Sequence, residues 1–100
     1  MPKLEIAVSH KLTQDEALAR IKRLVASAKV QYSSKTGEIE ESWNGYVGSF
    51  SGRAGGATAS GTITVNPSSV VLDLTLPFIV MLAKGQIESG VREHLSRILA

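Results

Sequence analysis

The chain contains no cysteine, so disulfides, thiolate metal sites and thiol nucleophiles are all excluded. It also has no long apolar run. The longest, Leu76 to Ala83 ("LPFIVMLA"), has eight residues, where a membrane-spanning helix needs roughly 20. Strong charge of either sign is missing as well: the formal net charge is +2. Residues 1–35 carry seven basic and three acidic side chains, and residues 36–76 carry one and four. That asymmetry is too mild for a nucleic-acid footprint. The segment Met1-Pro2-Lys3-Leu4-Glu5 lacks the apolar core of a signal peptide, and a cytoplasmic location is expected. What remains is 100 residues, 43% hydrophobic and 20% charged, which suit one folded domain, residues 1–100, around one core.

Periodicity divides the chain into elements. Leu4, Ile6 and Val8 alternate with Lys3, Glu5 and Ala7, the period of a strand with one buried face. Thr13 followed by Glu16 is a capping box. Beyond it Ala17, Leu18, Ile21, Leu24, Val25 and Ala28 recur at helical spacing, and Glu16 and Arg20 stand four apart in the favourable order. Gln31 to Gly37 reads as a polar connection. A strand is expected over Glu38 to Trp43, with Glu41 falling on the presumed inner face beside Ile39 and Trp43. Asn44-Gly45 signals a type I′ hairpin turn into a strand from Tyr46 to Phe50. Thr62 to Val65, extending back toward Thr58, and Val70 to Leu76 are rich in β-branched and apolar residues and read as two further strands. Ile87, Val91, Leu95 and Ile98 then form a helical stripe that includes Val80 and Ala83 if the helix begins early. The helical period returns from about Ile79, and Gly85 and Gly90 mean either a start only near Lys84 or close approach to a neighbour at those points. The order strand, helix, four-strand meander, helix predicts an α+β fold, a curved antiparallel sheet with two helices on one face.

Few residues carry a chemical signal. "SGRAGGATASG", Ser51 to Gly61, has the glycine spacing of a Walker loop but Thr62 where lysine is required, and it fits no dinucleotide fingerprint. It reads as a flexible connection between strands. His10 and His94 are the only imidazoles and lack H-E-x-x-H spacing, so no metal site is expected. His10 suits the end of the first strand, and His94 suits the exposed side of the last helix near its C-terminus. Of the acidic group Glu38, Glu40 and Glu41, the last is the candidate for a buried carboxylate. Trp43, Tyr46 and Phe50 have too little interleaved positive charge to stack bases and read as core. The run around Phe78, Ile79, Met81 and Leu82 exceeds what a one-sided helix needs, so it suits extra core, a dimer seam or a ligand pocket.

Taken in order, "IAVSHKLTQDEALARI", "SWNGYVGSF" and "SGTITVNPSSVVLDLTLPF", followed by a helix with Gly85, Ile87, Glu88 and Leu95, resemble the polyhydroxyalkanoic acid system family of small bacterial proteins. The likeness spans nearly the whole chain. It rests on structural punctuation, and the stretch Gly52 to Ser60 is longer and richer in glycine than the family's connection. The resemblance implies association with polyhydroxyalkanoate storage and carries no catalytic residue; its element order also looks like a shortened helix-grip fold. The function expected is a non-enzymatic accessory or binding protein, cytoplasmic or at the granule surface. Its partner would be a granule or an acyl ligand, held without a cofactor in an apolar groove of Trp43, Phe50, Leu74, Phe78 and Leu82. One alternative is a small enzyme or carrier for a hydrophobic acyl or thioester ligand in a helix-grip-like pocket, with Glu41 or His10 as acid or base. Another is a structural homodimer whose seam uses the residues around Phe78.

Overall fold

The computed structural model describes residues 3–36, 40–54, 57–75 and 84–100. The elements are β1 (Lys3–Ser9), α1 (Gln14–Thr36), β2 (Glu40–Asn44), β3 (Val47–Ala54), β4 (Ala57–Val65), β5 (Ser69–Thr75) and α2 (Lys84–Ile98). Every strand pairing is antiparallel, and the open sheet runs β1-β5-β4-β3-β2. The meander of four consecutive strands is therefore closed on its β5 side by the first strand of the chain, giving the expected α+β arrangement.

Alternation decides the two faces. Leu4, Ile6 and Val8 lie opposite Leu74, Leu72 and Val70, which in turn lie opposite Gly61, Ile63 and Val65. Ala17 and Ile21 of α1, Leu95 of α2 and Leu99 just beyond it pack into the same cluster, so both helices cover one face. Ile6, Ile21 and Val70 are fully buried; each such side chain contributes about 1.5–3 kcal/mol relative to exposure. The Thr13 hydroxyl accepts the Glu16 N–H at 3.1 Å, the expected cap of α1. The Glu16 carboxylate takes the Arg20 Nε–H at 3.0 Å. Arg20 Nη1 also donates to the Ile98 and Ala100 carbonyls, each at 2.9 Å, tying α1 to groups that the end of α2 leaves unpaired.

Three expectations are corrected. First, α1 continues through the segment read as a polar connection, to Thr36. Gln31 to Lys35 contains no glycine or proline, and its serines reduce helix propensity by only about 0.5 kcal/mol each. Second, Asn44 pairs with Val47, so the two-residue turn is Gly45-Tyr46, one position later than predicted. Gly45 has φ +61°, and no non-glycine residue among those described has positive φ, which is the pattern of a type II′ turn. Register explains the shift, because moving the pairing by one residue would turn Trp43 away from the core. Third, the glycine-rich stretch is mostly paired strand. β3 and β4 stay in register from Val47↔Thr64 to Ala54↔Ala57, leaving only residues 55 and 56 between them. Ladder hydrogen bonds come from the backbone, so pairing overrides the weak strand preference of these small residues. The predicted strand residues Glu38, Ile39 and Leu76 lie outside the described residues.

Candidate functional site

The helix-side face carries two adjoining cross-strand rows. One runs Ile6, Leu72, Ile63, Gly48, Trp43; the other runs Leu4, Leu74, Gly61, Phe50, Glu41. Burial fades along both, from Ile6 at 0% and Leu4 at 2% exposed to half-buried Trp43, Phe50 and Glu41. Two glycines make room for the rings. A Cβ on Gly48 would stand 2.8 Å from three Trp43 ring carbons, and one on Gly61 would stand 2.9 Å from Phe50 Cζ and Leu74 Cδ2 and 2.6 Å from the Asp73 carbonyl oxygen. Trp43 Nε1–H donates to Glu41 Oε2 at 2.6 Å, and the Lys22 ammonium of α1 lies 5.3 Å from the ring centroid. Of the five residues predicted to line an apolar groove, Trp43, Phe50 and Leu74 thus gather on adjoining rows, each half-buried against the core. Phe78 and Leu82 lie outside the described residues, as does the seam predicted around them.

The two candidate acid–base residues do not meet. His10 follows β1 and is buried, with both ring nitrogens engaged. Nδ1 accepts the Leu12 N–H at 3.1 Å, so Nε2 carries the proton and donates to the Asn66 carbonyl at 3.0 Å. With the His10 N–H on the Ser68 carbonyl, the residue clasps the turn between β4 and β5. Glu41 sits diagonally across the sheet, on β2 in the row of Leu4 and Leu74. His94 is exposed on α2, as expected. Tyr46 Oη–H donates to Asp15 Oδ1 at 2.6 Å; this bond, above all, raises the phenol's pKa from its ordinary value of 10.0. Among the described residues no group of three or more His, Asp or Glu side chains could hold a metal, and no helix is long and apolar enough to cross a membrane.

An open cleft of about 920 Å³ lies against the same strands. Its lining includes Lys3, Glu40, Ser42, Ser49, Ser51, Ser60, Thr62, Asp73 and Thr75, and alternation puts all of these side chains on the face away from the helices. Glu41, Phe50, Gly61 and Leu74 also border it, being the row whose backbone runs between two outward rows. The cleft is therefore a feature of the polar face, distinct from the apolar strip. Its signal in the sequence is hydroxyls at every second position, in Ser49 and Ser51 and again in Ser60, Thr62 and Thr64.

No curated protein and no solved structure matches the chain. A family model described as "putative polyhydroxyalkanoic acid system protein" matches residues 4–99. That span takes in the Trp43 strip, both helices, and all of β1 and of the cleft lining except Lys3, and the chain belongs to the polyhydroxyalkanoic acid system protein family.

Proposed function

We propose that this protein is a non-enzymatic accessory or binding protein of the polyhydroxyalkanoate system, holding acyl chains or the polyester of a storage granule without transforming them. The observation that carries the reading is the apolar strip. Trp43, Phe50 and Leu74 continue the core's rows yet stay half-buried, so an acyl chain laid along them would extend packing that the described residues leave incomplete. The family supplies the context, and the engagement of both His10 ring nitrogens with backbone groups favours a structural use of that imidazole. The protein would work in the cytoplasm, at the granule surface.

Trp43 is the only tryptophan, so its emission reports on the strip. Titration with protein-free polyhydroxyalkanoate granules, or with acyl chains, is expected to shift that emission and to carry the protein into the granule pellet. Phe50→Ala and Leu74→Ala should weaken both effects. Neither a spectral change nor co-sedimentation with wild-type protein would remove the reading.

A further inference from the structure

The cleft on the polar face has a direction. One of its cross-strand rows reads Lys3, Thr75, Ser60, Ser51, Glu40, from one edge strand to the other. An ammonium stands at one end, a carboxylate at the other, and three hydroxyls lie between them. None of the three hydroxyls has a hydrogen-bond partner among the described residues. Each can donate to an acceptor laid across the sheet.

From this row we infer that the cleft binds a linear oligoester of a 3-hydroxy acid, its carboxylate end at Lys3 and its hydroxyl end at Glu40. The inference rests on the reading of the protein as a polyhydroxyalkanoate-system binder and names the ligand of a second face. Three matches carry it. A terminal carboxylate pairs with the Lys3 ammonium, and a terminal hydroxyl donates to Glu40. The ester carbonyls between them are acceptors for Thr75, Ser60 and Ser51. The repeat also fits. Extended peptide covers about 3.5 Å with three backbone bonds, so a 3-hydroxyacyl unit with four covers about 4.7 Å. Neighbouring strands are about 4.8 Å apart, which sets successive carbonyls over successive hydroxyls. Four strand spacings, about 19 Å, then accommodate about four units. Glu5 and Asp73, opposite each other in the next row, add negative charge beside Lys3. A polyanion is disfavoured there, and one terminal carboxylate is tolerated.

Calorimetric titration with linear oligomers of 3-hydroxybutyric acid, from dimer to hexamer, tests the inference. Affinity should rise to about the tetramer and then level off. Lys3→Met should weaken the free-acid tetramer about tenfold and leave its methyl ester unchanged. Glu40→Gln should act only on oligomers with a free hydroxyl end. The triple variant Ser51→Ala, Ser60→Ala, Thr75→Val should bind no oligomer while keeping the wild-type circular dichroism spectrum and the granule-induced shift of Trp43 emission. Wild-type protein that moves to granules but ignores the oligomers would overturn the inference and leave the apolar strip standing. Protein that binds neither overturns both. Oligomer binding with no length dependence, or unchanged in Lys3→Met and in the triple variant, also overturns it.

Discussion

His10 shows how one side chain can join segments distant in the chain. Its imidazole joins the end of β1 to the β4–β5 turn through the Leu12 N–H and the Asn66 carbonyl, and the residue is 7% exposed. Removing it leaves a donor and an acceptor with little access to water, a cost of about 1–3 kcal/mol. His10→Phe is expected to lower stability by that amount in urea unfolding, and nitrogen NMR of the wild type should show the proton on Nε2. A second residue-scale test concerns Tyr46. The bond to Asp15 favours the protonated phenol, so Tyr46 should ionise above 10.0. With its folded value above its unfolded one, the contact stabilises the fold below the ordinary phenol range and ceases to do so as pH rises through the raised value. Absorbance titration in a Tyr32→Phe background isolates Tyr46, and Asp15→Asn should return it toward 10.0.

At the scale of elements, glycine does two different jobs in the hairpins. Gly45 supplies the positive φ of the turn, where alanine costs about 1–2 kcal/mol. Gly48 and Gly61 supply space under Trp43 and Phe50. Gly61→Ala should be the more damaging of these last two, because its Cβ meets the Asp73 carbonyl oxygen as well as two side chains and backbone cannot swing aside. A loss of at least 1–3 kcal/mol is expected, the usual range for overpacking, with altered Trp43 emission. Thermal unfolding indistinguishable from wild type would contradict the close packing of Phe50 on Gly61. At the sheet's edge, Arg92 of α2 donates to the Ala7 carbonyl on β1 at 2.9 Å and pairs with Glu88 at 3.1 Å. A cation placed there blunts an edge that would otherwise offer unpaired groups to another strand.

For the molecule as a whole, the core is built from parts distant in sequence. β1 pairs with β5, and α2 returns to close the cluster that β1 and α1 begin. The Cα radius of gyration, 13.2 Å, equals that of a compact chain of this length, about 13 Å. Unfolding should therefore be a single transition. Far-ultraviolet circular dichroism and Trp43 emission are expected to give one urea midpoint. An earlier midpoint for Trp43 would mean that the β2–β3 end, where burial fades, melts separately. Solution scattering near 13 Å identifies the monomer; a clearly larger value would revive the dimer seam predicted around Phe78.

Local periodicity, capping chemistry and motif order were enough to set the element order, the inner face of β1 and β5, the Thr13 cap and the family. Tertiary structure alone decided the rest. Strand propensity could not show that Gly52 to Ala59 pairs as a hairpin, since the ladder depends on partners and not on those side chains. The turn moved to Gly45-Tyr46 because packing of Trp43 sets the register. Above all, Lys3, Thr75, Ser60, Ser51 and Glu40 come from five separate strands, and no spacing along one chain can reveal a row that exists only across a sheet.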